Sequence, residues 1–333
     1  MIQDDIKNYA KQFEYEPLIE NAAKLPATLK GKGPGKPGAK KFIVCGMGGS
    51  HLAANVLAAW HPELHVVIWS DYGLPPMHEK NLKDHVVIVS SYSGNTEEAI
   101  DSFNAARAKK VPVIVIAAGG KLLRLAEKFK VPYIAMPDFH FQPRMALGLS
   151  LRAMLAAMNE KTLLAETGEL AKQLHPSREE LHGRELAKRL HGAVPMVYAS
   201  GRNAAIAMNW KIKFNETGKV PAFWNVVPEL NHNEMTGFDA KGKTVPLSRQ
   251  YQFVFLKDTD DDRRITKRMA VLERLLRERG MASHVVILQG KSRLQKLFSS
   301  LVFADWVAYY AAKMYEVEPE QVPMVEEFKK LVR

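Results

Sequence analysis

The chain is poor in cysteine: Cys45 is the single one among 333 residues. No intrachain disulfide framework and no paired-cysteine metal motif can therefore form, and a reducing compartment fits. Cys45 sits inside an apolar run, where a small core residue is expected. The chain also lacks an apolar stretch of about 18 residues, the length needed to span a bilayer. Its polar start, Met1 to Lys11, has no signal-peptide core. These absences point to a cytoplasmic enzyme or binding protein with no membrane partner. Positive charge is not scarce, at a net +11, but it is scattered apart from two concentrations. One is the glycine- and proline-rich stretch from Lys30 to Lys41, an exposed connector by composition. The other runs from Asp261 to Gly280, where Ile265, Met269, Leu272 and Leu276 make an apolar stripe and the arginines fill the solvated face. Neither asks for nucleic acid, and a basic surface suits a phosphorylated substrate.

What is present is a pair of small-residue turns. Gly46-Met47-Gly48-Gly49-Ser50 follows the β-branched run Phe42-Ile43-Val44, and Ser90-Ser91-Tyr92-Ser93-Gly94-Asn95-Thr96 follows Val86-Val87-Ile88-Val89. Each precedes a stretch with helical spacing of apolar residues, so both are strand-to-helix turns. Such turns gather at the carboxyl edge of a parallel sheet, where amides, helix N-termini and hydroxyls converge on an anion. Ser91, Ser93 and Thr96 can wrap a phosphate without lysine or metal; Ser93 or Thr96 can equally serve as an ordinary helix cap. The glycine turn is not a full Gly-x-Gly-x-x-Gly, and Asp71 is the nearest candidate for a ribose-binding acid, so the bare amides of Gly48 and Gly49 fit phosphate better than a dinucleotide.

The length favours two domains. After a helical segment from about Gln3 to Leu25, strands are expected at Lys41–Cys45, His65–Trp69, Val86–Ser90, Val113–Ala117 and Tyr133–Met136, with helices from Ser50 to Trp60 and Thr96 to Lys109. Glu97 and Glu98 open the latter helix and Lys109 and Lys110 close it, in the order the helix dipole favours. Alternating βα units imply a doubly wound parallel sheet. A long helix from Arg144 to Ala171 and a charged segment through His191 follow, and then the pattern restarts. Val194–Ala199 leads into Ser200-Gly201-Arg202-Asn203 and a helix to Glu216. Further strands are expected at 222–224, 251–256 and 284–288, with helices at 261–279 and 292–315. The chain reads as an α/β protein duplicated in tandem, with an N-terminal segment and connector at 1–40 and domains at 41–155 and 180–333.

Two elements of the second half carry chemistry. Glu216 falls in the last turn of a helix that Gly218 is expected to end, where the dipole opposes a carboxylate. Such a local conflict marks a candidate general base, or else a solvated surface glutamate. Asn231-His232-Asn233-Glu234 forms a dense polar loop. As a histidine, His232 is a candidate proton donor. It is otherwise a plain loop histidine, or one of two metal ligands with Glu234, a reading that no His-x-x-x-His or cysteine pair supports.

Taken together, Gly-Gly-Ser and Ser-x-Ser-Gly-Asn-Thr resemble the sugar isomerase (SIS) domain, a flavodoxin-like phosphosugar-binding unit. Asn215-Glu216, the run from Glu229 to Glu234 and the ending Val322-Pro-Met-Val325-Glu-Glu-Phe328-Lys329 resemble the bifunctional phosphoglucose/phosphomannose isomerases of archaea and some bacteria. The resemblance implies two tandem doubly wound parallel-sheet SIS domains and an interdomain site. It also implies a homodimer that contributes His232 from either subunit, hexose 6-phosphate substrates, and no metal or cofactor. It gives Gly49, Ser50, Ser91, Ser93 and Thr96 contact with the phosphate and sugar, and brings Arg144 to C1–C2. Glu216 is then the base, His232 the ring-opening acid, and Lys329 (or the adjacent Lys330) a second ring-opening group. Glu320 and Gln321 fall where C2 stereochemistry is tuned. A non-catalytic phosphosugar sensor and a different phosphosugar isomerase are the alternatives.

Overall fold

The computed structural model describes residues 2–27, 29, 41–139 and 142–332. Nearly all of the connector, residues 30–40, lies outside the described residues. Two compact units form, one of Asn8–Gln173 and one of Met1–Lys7 with Leu174–Arg333. No helix among the described residues is long and apolar enough to cross a membrane.

The helix expected over residues 3–25 is not continuous. Helix α1 (Ile2–Lys7) is followed by a 3₁₀ segment, Tyr9–Glu14, and then by irregular chain. Tyr9, Gln12 and Phe13 are buried at spacings that mimic an α-helix. Pro17 disfavours helical backbone at Glu16, and Asn21 is left-handed at φ 53°.

In the unit of Asn8–Gln173, strands β1 (Lys41–Cys45), β2 (His65–Trp69), β3 (His85–Ser90), β4 (Val113–Ala117) and β5 (Tyr133–Ala135) are parallel, in the order β2-β1-β3-β4-β5. Every residue of β3 and β4 is buried, which is why these strands read as unbroken apolar runs. Helices α2 (Gly49–Trp60), α3 (Glu79–Lys83), α4 (Glu97–Ala108) and α5 (Gly120–Lys128) connect the strands. Ile43, Cys45, Val87, Val89, Val113 and Val115 pack with Leu82 of α3, Phe103 of α4 and Leu122 of α5 on one face. The alternate residues face the other side, which α2 covers together with α6 (Leu147–Ala157). The long helix expected from Arg144 to Ala171 is in fact α6, α7 (Lys161–Gly168) and α8 (Leu170–Gln173), preceded by a 3₁₀ turn, Pro143–Met145. Left-handed Asn159, at φ 55°, makes the first break, and its amide donates to Leu29 O at 2.7 Å.

In the second unit the charged segment before His191 is itself helical, α9 (Glu180–Leu190). Strands β6 (Val194–Ser200), β7 (Phe223–Val227), β8 (Tyr251–Lys257) and β9 (Ser283–Ile287) are parallel in the order β7-β6-β8-β9, repeating the first four strands of the other sheet. Helix α10 (Ala204–Glu216) follows β6, and the short helices α11 (Glu234–Gly237) and α12 (Val245–Ser248) lie between β7 and β8. Helix α13 (Arg263–Glu278) buries Met269, Leu272 and Leu276 against Tyr198, Phe253 and Phe255, leaving its arginines on the outside. Helices α10, α14 (Arg293–Met314) and α9 form a second layer, and α15 (Pro323–Leu331) ends the fold with no buried residue. Helix α1 belongs to this unit: Gln3 donates to Glu180 Oε1 at 3.1 Å and accepts from Tyr309 Oη at 3.4 Å.

Cys45 ends β1 with no exposed surface, and burial pushes its thiol up to about 12. At pH 8 the native protein is expected to leave a disulfide-exchange reagent unreacted, whereas urea-unfolded chain titrates one thiol; rapid labelling without denaturant would contradict this packing.

Candidate functional site

In both sheets the strand order reverses between two neighbours, β1 and β3 in one and β6 and β8 in the other. Such switch points splay the following turns apart and leave the carboxyl ends of the strands open. Both turns singled out in the sequence lie at the β1/β3 switch point.

Three close approaches shape the edge. A Cβ on Gly46 would lie 2.6 Å from Ser90 O, one on Gly49 would lie 2.4 Å from the Pro143 carbonyl carbon and 2.7 Å from Arg144 N, and one on Gly94 would lie 1.8 Å from Gly119 O. Gly94 is also left-handed, at φ 65°. The backbone of the glycine turn, the serine turn, the Gly119-Gly120 turn and the Pro143–Met145 turn therefore converge. Gly119-Gly120 follows an apolar strand just as the other turns do, so its sequence carried the same signal.

The hydroxyls are aligned by one another. Ser50 Oγ accepts from Tyr92 N at 2.9 Å, tying α2 to the serine turn. Ser91 Oγ accepts from Gly94 N at 3.1 Å and lies 2.8 Å from Thr96 Oγ1. Ser93 Oγ accepts from Asn95 N at 3.3 Å. Thr96 occupies the N-cap of α4, yet its side chain makes no cap hydrogen bond, so it is not an ordinary cap. Helix α2 likewise begins without a side-chain cap, after left-handed Gly48 at φ 50°. Asp71 merely accepts from Tyr72 N, at 2.7 Å, within its own turn.

Arg144 is buried within the 3₁₀ turn that packs on Gly49, and its Nη1 donates to Gln142 Oε1 at 3.4 Å. Gln12, which sequence reasoning passed over, fastens this turn. Its Nε2 donates to Met145 O at 2.7 Å, while its Oε1 accepts from Gly148 N at 3.0 Å and Leu149 N at 3.4 Å. It thus caps α6 from a distant segment and fixes the turn that carries Arg144.

In the second unit Glu216 is the last residue of α10 and is half-buried. The left-handed residue beyond it is Lys219, at φ 54°, rather than the expected Gly218. Gly218 is required for space, because a Cβ there would stand 2.8 Å from Phe214 O. Lys219 Nζ donates to Glu216 O at 2.5 Å and also to Gln321 O. A cation therefore answers the dipole at this helix end and ties it to the segment containing Glu320 and Gln321. Asn215 holds the same turn through Val220 O, at 3.0 Å. Behind Glu216, Lys213 pairs at 2.5 Å with the buried Asp305, and Trp210 donates to Ser300 Oγ at 3.0 Å, locking α10 to α14.

His232 is exposed, at the end of a 3₁₀ turn, Glu229–His232. Its loop is anchored through Glu234, which accepts from the buried Tyr198 Oη at 2.5 Å and from Asn225 Nδ2. Asn233 donates to Glu229 Oε1 at 2.8 Å. Lys329 lies on the exposed helix α15 with its ammonium 2.7 Å from Glu326 Oε1. Among the sequence candidates, the structure gathers Gly49, Ser50, Ser91, Ser93, Thr96 and Arg144 at one sheet edge. The end of α10 bearing Glu216 meets the segment before α15, while the Lys329 ammonium is held by Glu326.

Residues 179–332 match the family model described as the bacterial phospho-glucose isomerase C-terminal SIS domain. A bifunctional phosphoglucose/phosphomannose isomerase of Caldicellulosiruptor bescii is 34% identical over 305 residues, covering 86% of this chain and 87% of the relative. One from Thermoplasma volcanium is 32% identical over 297 residues, covering 87% and 90%. The fold resembles the C-terminal domain of glucosamine-fructose-6-phosphate aminotransferase from Francisella tularensis, with a TM-score of 0.65, 13% identity and 96% of each chain covered.

Replacing Gln12 by alanine leaves the Met145 carbonyl and two amides of α6 without their buried partner. Stability in a urea titration is expected to fall by about 1–3 kcal/mol. A change below about 0.5 kcal/mol, the level of a neutral surface substitution, would mean that Gln12 does not hold the turn.

Proposed function

Because the chain belongs to the bifunctional phosphoglucose/phosphomannose isomerase family, we propose that it is a metal-independent aldose–ketose isomerase. It interconverts glucose 6-phosphate, and mannose 6-phosphate, with fructose 6-phosphate through a cis-enediolate. The observation that carries this reading is the switch-point cradle, where Thr96 Oγ1 turns to Ser91 Oγ rather than to its own helix. Hydroxyls and first-turn amides without a fixed counter-ion suit a phosphate dianion. That anchor supplies remote binding energy to hold C1 and C2 in register.

The chemistry divides among few groups. His232 donates a proton to the ring oxygen while the anomeric hydroxyl proton passes to solvent water ordered by the Lys329 ammonium, giving the open aldehyde. Glu216 takes the proton from C2; the electron pair of that C–H bond forms C1=C2 and the carbonyl pair moves to O1. Arg144, permanently cationic, stabilises the resulting enediolate, a role that a metal takes in other isomerases. The proton on O2 passes to O1, the Glu216 proton returns to C1, and the ketose forms with no net loss of atoms or electrons. Lys219 and Asn215 support the role of Glu216 by fixing the helix end from which it projects. Helix α15 exposes Met324, Phe328 and Leu331 at 80%, 63% and 78%. That apolar face favours a homodimer in which a second copy covers it.

Coupled assays of fructose 6-phosphate to glucose 6-phosphate, and of mannose 6-phosphate to fructose 6-phosphate, are expected to show turnover unchanged by a chelator. Binding without turnover would identify a sensor instead. Glu216→Gln should lower kcat by about 10²- to 10⁴-fold and abolish exchange of the C2 proton with solvent, while phosphosugar binding stays close to wild type. Unchanged turnover would remove Glu216 from its assigned role. Ser93→Ala combined with Thr96→Ala should raise KM for hexose 6-phosphates roughly tenfold or more. An equal effect on unphosphorylated sugar would refute the cradle.

A further inference from the structure

The second sheet has the same strand order as the first four strands of the other, and its own switch point between β6 and β8. Corresponding positions hold different chemistry. Ser91 is the first residue after β3; Asp258 is the first residue after β8. Thr96 is the N-cap of α4; Asp262 is the N-cap of α13 and does cap it, accepting from Arg264 N at 2.8 Å.

Asp258 is enclosed by donors. Its side chain has no exposed surface, and its Oδ1 accepts from Lys296 Nζ at 2.8 Å and Asp260 N at 3.1 Å. Its Oδ2 accepts from Arg293 Nη1 at 2.9 Å, Arg202 Nη1 at 3.4 Å and Asn203 Nδ2 at 3.5 Å. Arg293 and Lys296 are themselves 12% and 8% exposed. Arg293 Nη1 is held further by Asn203 Oδ1 at 2.6 Å, and Lys296 Nζ by Thr259 Oγ1 at 2.9 Å and Asp260 Oδ2 at 2.8 Å. Two near-buried cations, an amide side chain and a backbone N–H thus converge on one carboxylate at the edge where this topology places ligands. Ser200 and Asn203 turn to Asp261, at 2.7 and 3.3 Å, so the small polar groups of the β6 turn are also engaged within the protein.

We propose that the β6/β8 switch point is an anion seat permanently occupied by the protein's own Asp258. The duplicated chain then offers one phosphosugar seat, at β1/β3, rather than two. Removing the carboxylate opens the seat to a small external anion. The stoichiometric part rests on the isomerase reading above; the seat itself does not.

The test compares the thermal midpoints of wild type, Asp258→Gly and Asp258→Asn in sodium chloride and in sodium formate of equal ionic strength. Formate replaces the lost carboxylate group. Asp258→Gly, in which Arg293 loses its paired carboxylate and Lys296 keeps only Asp260, is expected to melt on the order of 10 °C lower in chloride and to regain at least half of that in formate. Wild type should not shift, and Asp258→Asn should not respond, because its amide fills the space. Equal formate responses in all three proteins, or no response in the glycine variant, would overturn the proposal. Should that variant not fold, calorimetry on wild type with 6-phosphogluconate, which has the phosphate but no aldehyde, decides the matter. One mole per mole of chain agrees with the proposal and two overturn it. No binding at all would instead strike the isomerase reading, and Asp258→Ala then takes the place of the glycine variant in the formate comparison: a midpoint restored by formate agrees with the seat, and no response overturns it.

Discussion

A parallel sheet that adds strands first to one side and then to the other must somewhere send two neighbouring connections to opposite faces. At that place the carboxyl ends of both strands lie uncovered. Here the gap between β1 and β3 imposes that geometry, and the close packing around it removes side chains. Gly46, Gly49 and Gly94 stand where a Cβ would meet backbone at 2.6, 2.4 and 1.8 Å. What remains at such an edge is main-chain N–H and short hydroxyls, all of them suited to a negative charge. The chemistry of recognition is therefore largely decided by topology, before any particular substrate is considered.

The two halves solve the same topological problem with opposite electrostatics. At β1/β3 the turn groups are neutral hydroxyls and amides hydrogen-bonded to each other, with the buried Arg144 as the charge beside them. At β6/β8 the groups are charged and buried, a state that persists only because each charge has its partner close by. Burial of Asp258 opposes its ionised form, yet the surrounding cations hold its carboxyl below the usual range. Around Glu216 there is a third arrangement. The helix end is fixed from behind by Lys213 and Asp305 and from beyond by Lys219, while Glu216 itself stays half-exposed.

Much of this was legible in the chain itself. The strands among the described residues overlap the expected apolar runs, most closely at β3 and β4, where burial on both faces of the parallel sheet leaves polar residues little place. The glycine and serine turns were visible because small residues in sequence are small residues in space. Other features escaped for identifiable causes. Tyr9, Gln12 and Phe13 share an α-like spacing but form a 3₁₀ turn, so periodicity alone drew a helix that the backbone does not make. Gly218 marks the end of α10 in the sequence, but the crowding of Phe214 O is what demands glycine there, and the left-handed residue is Lys219. Gln12 on α6, and Tyr198 and Asn225 on Glu234, act across segments far apart in the chain, and no local pattern records a partner of that kind.

Helix α1 adds a consequence for how the protein is made and cut. Ile2 and Ile6 are buried within the unit that otherwise spans Leu174–Arg333, and Gln3 bridges to Glu180 on α9 and Tyr309 on α14. During translation this helix leaves the ribosome long before its packing surface exists, so it must wait through synthesis of the whole intervening unit. The boundary drawn by family similarity, residues 179–332, omits it. A fragment expressed within those limits would expose the apolar seat of α1, and excising the half by itself would call for grafting residues 2–7 back onto it.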